Sequence, residues 1–323
     1  MSERFQRVFA GDDFVSDWRL VGTGVPQGSV LGPLLFILYL HDLPSVLKYC
    51  SFHQYADDLQ IYIDFSLELF PLYLEYLNED LCNVLLFISG HNLTLNVEKT
   101  QPIIFGSGRF LTKLGDNPSQ IVLNGVNIPY CETVCNLGIL MDNTLRWTQQ
   151  SINTINKVFK ALAQIRRNFS CLPFDIRQKV VNALIMPYFD YGAILFTDMP
   201  ATTLTKLQRC QNSCIRFICN ANRFEHISPY YQQLKILKLE ERRTLAVALT
   251  TWKIFKFKVP EYLYEMFTFY SHVTTRCNRA SPDMLLIPQH RLEKYSKSFC
   301  VFASRIFNTY QIYNYLHTYI LTY

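Results

Sequence analysis

The sequence predicts an α+β fold in which antiparallel hairpins and helices come first and a mostly helical region follows. Three observations predict it. Phe52 to Tyr55 and Leu59 to Phe65 flank Ala56-Asp57-Asp58. In the second run Leu59, Ile61, Ile63 and Phe65 fall on one face, and Gln60, Tyr62 and Asp64 on the other, the period of a half-buried strand. Ile121 to Leu123 and Val126 to Ile128 bracket Asn124-Gly125, a dipeptide that tolerates the positive φ angles of a tight hairpin turn. Beyond Trp147 the apolar spacing lengthens to that of a helix.

Taken in order, residues 1–23 form a short polar opening segment with strand character around Phe5 to Phe9 and Trp18 to Val21. Ser29 to Leu40 is apolar on all sides, so a buried helix is expected. It starts at Gly28-Ser29 and stops before Pro44. The acidic hairpin follows. Residues 67–91 carry Leu74, Leu77, Leu81, Val84, Leu85 and Ile88 at helical spacing, with Gly90 at the end. Leu93 to Val97 and Pro102 to Phe105 read as strands around Glu98-Lys99-Thr100. After the Asn124-Gly125 hairpin, Ile152, Ile155, Phe159, Leu162 and Ile165 stripe a helix that also carries Lys157, Lys160, Arg166 and Arg167. Further helices are expected around 175–186, 203–219, 231–235 and 240–257.

At 323 residues, with 49% hydrophobic and 18% charged side chains, the chain has the balance of one or two globular domains. Ten cysteines without a CxxC pair, and no signal-peptide pattern, lead to reduced thiols and an intracellular setting, nucleus or cytoplasm. The longest apolar run, Val30 to Leu40, is too short to span a bilayer, so no membrane partner is expected. The net charge of +5 conceals a division. Residues 1–150 hold 8 Lys/Arg against 16 Asp/Glu, and residues 151–323 hold 23 against 10. Carboxylates suit cations, and a basic region suits a polyanion, although a solvated basic surface has the same composition.

Asp57-Asp58 is the chemical centre of the sequence. Adjacent carboxylates on a tight turn repel each other unless a cation relieves them. Magnesium accepts one or two carboxylates together with substrate phosphates, and two metals about 3.5–4 Å apart serve phosphoryl transfer. Upstream, Gly24-Val25-Pro26-Gln27-Gly28-Ser29 precedes the hairpin by one helix. Its glycines permit close backbone approach to a ligand, Gln27 offers an amide, and the helix start directs N–H groups toward an anion. Either feature alone also describes an ordinary solvated turn or a glycine-rich loop feeding a core helix.

Together, GVPQGSVLGPLLFILYLHDLP and QYADDLQIY resemble the reverse transcriptases of animal non-LTR retrotransposons, Jockey-like elements in particular. Viral RNA polymerases usually place glycine where this chain has Ala56. Asn92 to Thr100 is similar to the next family motif, which implies Lys99 near the incoming nucleotide. Asn136 to Asp142, ending at Trp147, resembles a primer-grip hairpin. Leu207 to Asn212 and the stretch through His226-Ile227-Ser228-Pro229 resemble the helical region beyond the polymerase.

The resemblance implies a partial palm over 1–147 and a helical thumb and C-terminal region over 148–323. It implies Asp57 and Asp58 as catalytic carboxylates holding Mg2+ or Mn2+, with Lys99 beside them. Pro26, Gln27, Gly28 and Tyr55 would line the nucleotide site. Lys157, Lys160, Arg166 and Arg167 would touch nucleic acid. RNA template, DNA primer and deoxynucleoside triphosphates are the implied partners. In the family the first catalytic aspartate lies on a strand several dozen residues before the loop, and here 23 residues precede Gly24. Arg4 to Val8 resembles the linker between those two motifs. The expectation is an N-terminally truncated polymerase, inactive alone and weak in metal binding. A non-enzymatic nucleic-acid-binding relic is the rival reading.

Cys210, Cys214 and Cys219 with His226 raise zinc, but their spacing fits a helix packed on the core better than a zinc knuckle. Cys131 and Cys135 belong to a strand-turn segment and also read as core cysteines rather than zinc ligands, and His53 reads as a packing residue.

Overall fold

The computed structural model describes residues 4–11, 14–22, 24–25, 28–115, 118–167, 169–272 and 284–310. Pro26 and Gln27 lie outside these residues. The fold is a mixture of helices and short antiparallel strands, α+β as expected. The chain divides into two compact units, Met1–Cys131 and Glu132–Tyr323.

The first unit opens with β1 (Arg4–Gln6) paired antiparallel to β2 (Arg19–Val21). Helix α1 (Gly32–Tyr39) follows, then the hairpin β3 (Ser51–Tyr55) and β4 (Asp58–Tyr62). The long helix α2 (Phe70–Gly90) leads to α3 (Gly108–Leu114) and the hairpin β5 (Ile121–Leu123) and β6 (Val126–Ile128). Leu74, Val84, Ile121, Leu123 and Ile128 are buried in this unit. The Asn124-Gly125 turn has φ angles of 53° and 76°, as the sequence requires. Asn78 Oδ1 accepts the Val122 N–H at 3.0 Å and ties that hairpin to α2.

Two expectations fail here. Helix α1 begins at Gly32, because Ser29 Oγ accepts the Gly32 N–H at 3.1 Å and holds the preceding residues in a turn. Gly32 and Leu40 are buried, but Leu34, Ile37, Leu38 and Tyr39 are exposed, so α1 is not the buried helix expected. A helix apolar on all sides needs partners on all sides, and the described residues of this unit cover only one edge. Leu93 to Val97 and Pro102 to Phe105 are not strands. Asn96 Oδ1 accepts the Lys99 N–H at 3.1 Å and closes a single 3₁₀ turn over Val97–Lys99. Such a local side-chain bond competes with sheet pairing. Pro102 has no N–H to donate; its carbonyl takes one bond, from Cys131 N at 2.8 Å.

The second unit starts with the hairpin β7 (Thr133–Asn136) and β8 (Ile139–Asp142), followed by α4 (Thr148–Arg166), α5 (Phe174–Leu184) and α6 (Pro187–Asp190). Then come α7 (Ala201–Cys219), α8 (Ser228–Leu234), α9 (Leu239–Phe257) and α10 (Glu261–Tyr264). Helices α11 (Glu293–Ser296) and α12 (Phe299–Tyr310) complete it. One core cluster joins Val158, Leu162, Val181, Ile185, Cys214, Ile215 and Ile218. A second joins Val247, Ile254 and Phe255 to Leu285, Ala303, Ile306 and Phe307.

Cys210 and Cys214 are buried on α7, and burial pushes both thiols up to about 12. The same helix carries an amide network. Gln208 Nε2 donates to Gln211 Oε1 at 2.8 Å and to Tyr231 Oη at 2.8 Å, and Tyr231 donates to Asn212 Oδ1 at 2.8 Å. Gln211 Nε2 reaches the Leu237 carbonyl at 3.0 Å, and Gln208 Oε1 accepts the Leu239 N–H at 3.1 Å. Neutral amides thereby fasten α8 and the start of α9 to α7.

Candidate metal and nucleic-acid sites

The β3–β4 register runs from Ser51↔Tyr62 to Tyr55↔Asp58, leaving Ala56 and Asp57 as a two-residue connection. Ala56 has φ 53°, a left-handed conformation that glycine adopts more easily. Gln54 Nε2 braces the turn by donating to the Ala56 carbonyl at 3.2 Å. Farther down, the Tyr62 hydroxyl lies 3.2 Å from His53 Nε2, and the two rings stack at 5.2 Å. His53 is thus a packing residue.

Asp57 and Asp58 are exposed at the tip. Neither carboxylate has a hydrogen bond or ion pair among the described residues, so all their oxygens are open to a ligand. Hard carboxylate oxygens fit magnesium or manganese. Two of them do not complete a cage, and the described residues hold no group of three or more His, Cys, Asp or Glu side chains that could hold a metal. Tyr55, at the end of β3, is 67% exposed. Gly28 is exposed in a turn with φ 81°. Lys99 is exposed at the end of its 3₁₀ turn. Tyr55 pairs with Asp58 through the β3–β4 ladder, and no side-chain hydrogen bond or ion pair joins Tyr55, Gly28 or Lys99 to Asp57 or Asp58 among the described residues.

The hairpin is held at its base by a residue that pattern reading passed over. Asp80, on α2, is fully buried. Its Oδ1 accepts the Lys48 N–H at 2.9 Å, and its Oδ2 accepts those of Tyr49 at 2.9 Å and Cys50 at 2.8 Å. Burial works to raise its pKa, but the three backbone donors outweigh burial and hold the carboxyl below its ordinary value. Tyr49 stacks on Tyr76 with centroids 4.2 Å apart. The residues entering β3 are thereby fixed to α2. The available signal was a carboxylate at position 80 inside the stripe of Leu77, Leu81 and Val84.

In the second unit, the β7–β8 turn has Leu137 at φ 46° and Gly138 at φ 79°. The Tyr191 hydroxyl donates to the Leu137 carbonyl at 2.6 Å, and Gln150 Oε1 accepts the Leu140 N–H at 3.0 Å. Asp142 accepts from Thr144 Oγ1 at 2.7 Å, Arg146 N at 2.9 Å and Trp147 N at 2.8 Å. These bonds outweigh burial and lower its pKa. Trp147 is buried, and its Nε1 donates to Asp198 at 2.7 Å.

Lys157, Lys160 and Arg166 lie exposed on α4, with exposed Arg167 as its C-cap. The apolar stripe expected on α4 is only partly the buried one. Gln150, Ser151, Thr154, Val158 and Leu162 face inward, whereas Ile152 and Phe159 are 46% and 44% exposed. At about 100° per residue, Lys160 and Arg167 fall near the middle of the exposed half, and Lys157 and Arg166 at its edges. The buried face of α4 is turned from the apolar stripe because the small polar Ser151 and Thr154 take core positions beside Phe189, Ala193 and Phe196.

Residues 13–128 match the family model described as reverse transcriptase (RNA-dependent DNA polymerase). The chain is 23% identical over 242 residues to the RNA-directed DNA polymerase from mobile element jockey of Drosophila melanogaster, covering 72% of this chain and 25% of that protein. It is 24% identical over 234 residues to a probable RNA-directed DNA polymerase from transposon BS of the same species, covering 69% and 25%. A probable RNA-directed DNA polymerase from transposon X-element is 22% identical over 223 residues, covering 67% and 24%. The chain spans about a quarter of the length of these relatives. No solved structure matches it. No helix among the described residues is long and apolar enough to cross a membrane.

Proposed function

We propose that this chain, which carries a reverse transcriptase domain of the non-LTR retrotransposon type over residues 13–128, contributes the acidic hairpin and the primer-side helices of an RNA-directed DNA polymerase. The observation that carries this reading is the turn itself. Asp57, in the two-residue connection, and Asp58, the first residue of β4, project free carboxylates from the tip of a hairpin whose base Asp80 fixes to α2. Reverse transcriptase family proteins generally use divalent metals. In this reading Asp57 and Asp58 hold Mg2+ or Mn2+, which when bound neutralises charge on the transferring phosphoryl group. Tyr55, Pro26, Gln27 and Gly28 line the nucleotide site, and Lys99 offers its ammonium to the triphosphate.

Residues 1–147 act as palm and 148–323 as thumb and C-terminal region. Lys157, Lys160, Arg166 and Arg167 grip the sugar-phosphate backbone of template and primer, positioning the duplex without reading its sequence. A second reading, nucleic-acid binding without synthesis, is favoured by one observation: the described residues offer two carboxylates at the turn and no third metal ligand. Under that reading these residues bind metal weakly and do not extend a primer by themselves.

Primer extension on an RNA template, with and without Mg2+, separates the two. If the chain extends the primer, Asp57→Asn lowers extension at least about a hundredfold, the scale of several kcal/mol of lost charge stabilisation. Extension unchanged in Asp57→Asn rules out the hairpin as the catalytic site. No extension together with retained, salt-sensitive binding supports the second reading.

A further inference from the structure

The connection between α7 and α8 presents an aromatic ring to solvent from a braced loop. Phe224 is 92% exposed. The loop beneath it is held from both sides. Arg216 Nε donates to the Asn222 carbonyl and its NH2 group to the Glu225 carbonyl, each at 3.3 Å. One Glu225 carboxylate oxygen accepts the Asn222 N–H at 2.9 Å, and the other accepts the Tyr230 hydroxyl at 2.5 Å. Asn222 Oδ1 accepts the Arg223 N–H at 2.8 Å. The ring adds nothing to a core, and these bonds fix the backbone that presents it to water.

The surroundings indicate its chemistry. Arg223 precedes Phe224 in the chain and His226 follows it by two residues, and both are exposed. Lys206, Arg209 and Arg216 lie at positions i, i+3 and i+10 of α7, close to one face, over about 15 Å of helix leading to the loop. The only carboxylate in the loop, Glu225, accepts the Asn222 N–H and the Tyr230 hydroxyl, one on each oxygen. A protein partner needs a contiguous apolar patch, and here a single ring has Asn222, Arg223, Glu225 and His226 as exposed chain neighbours. A flat ring beside Arg223 in the chain, on a loop that Arg216 ties to the basic face of α7, fits the π-face of a base whose phosphates run along that face. In a duplex those faces are hidden by stacking.

We propose that Phe224 is a stacking platform for an unpaired base of single-stranded RNA or DNA, with Lys206, Arg209 and Arg223 contacting the strand's phosphates. This rests on the nucleic-acid reading of the basic half but not on the catalytic one, and it is separate from the α4 cations.

The test measures binding of the purified 323-residue chain to three labelled probes: a single-stranded 12-mer, an abasic 12-mer of equal charge, and a duplex. Phe224→Ala and Phe224→Leu should weaken the base-bearing strand roughly 5- to 150-fold, the range of one stacked base, while Phe224→Tyr retains it. Abasic-strand and duplex binding should not change in any of them. Unchanged single-strand binding in Phe224→Ala overturns the proposal. So does Phe224→Leu binding as well as the native chain, which would indicate apolar contact rather than stacking. So does self-association of the native chain that Phe224→Ala abolishes while strand binding persists. Retained salt-sensitive duplex binding in any of these cases leaves the reading of the α4 cations standing, whereas duplex binding indifferent to Lys157, Lys160, Arg166 and Arg167 removes that reading alone.

Discussion

The Asp80 carboxylate accepts the N–H of Cys50 at 2.8 Å, one residue before β3 begins. It also accepts the two preceding N–H groups. One side chain on α2 thus fixes where the acidic hairpin leaves the body of the first unit. Asp80→Asn puts an amide NH2 where an acceptor is needed and leaves a buried N–H unpaired. Hydrogen bonds to a charged group and buried unpaired donors each carry about 1–3 kcal/mol. The expected loss is about 3 kcal/mol, read as a lower urea midpoint, with weaker metal binding at the proposed Asp57–Asp58 site although neither residue is changed.

Asp80 and Asp142 also predict an acid limb. Both carboxyls titrate below their ordinary value in the folded chain. A depressed native pKa contributes stability that is fully present above the unfolded value of about 3.9 and is lost as pH falls through the native one. Urea midpoints should therefore be flat above about pH 5 and fall steeply below about pH 4. In Asp80→Asn the fall should be shallower. An acid limb of unchanged steepness would show that Asp80 does not contribute to it.

Thiol reactivity should follow burial. Cys82, Cys135 and Cys171 are exposed. Burial first, and then the hydrogen bond to Asp80, pushes the Cys50 thiol up to about 12. Thiolate is the reactive form. Timed alkylation read by peptide mass should label the exposed three first and leave Cys50, Cys210 and Cys214 for last. Asp80→Asn should quicken Cys50 while burial still keeps it behind the exposed three.

Gly192 supports the β7–β8 hairpin by being small. Its φ is 68°, and a Cβ there would lie 2.6 Å from Ile139 Cδ1. Gly192→Ala should cost about 2 kcal/mol, from the left-handed backbone and from the displaced Ile139. Tyr191→Phe removes the bond to the Leu137 carbonyl and should cost about 1 kcal/mol. Amide exchange at the Leu137-Gly138 turn should quicken in both.

Much of this was legible in the sequence because its cause is local. The Asn124-Gly125 turn, the acidic hairpin and helices α2, α4, α7 and α9 follow from turn chemistry and spacing. Asp80 was not, because its partners are three backbone N–H groups 30 to 32 residues away. Helix α12 was not anticipated either. Its inward side includes Asn308, whose Oδ1 and Nδ2 bond the Leu285 backbone at 2.8 and 2.9 Å, and pattern reading counts such a residue as polar surface. Leu93 to Val97 misled because its alternation is real, yet Asn96 satisfies the backbone locally before a neighbouring strand can.

The Gln208–Gln211–Asn212–Tyr231 network has a practical consequence for experiments on the basic half. Its joints are uncharged amides and a phenol, so added salt does not screen them. Arg209, between two of those amides in sequence, points into water on the same helix. Adhesion to a polyanion weakens with ionic strength through counterion release, while the joints behind it hold. A salt gradient should therefore release nucleic acid from a scaffold that remains folded, so loss of binding and loss of structure can be separated in a single titration.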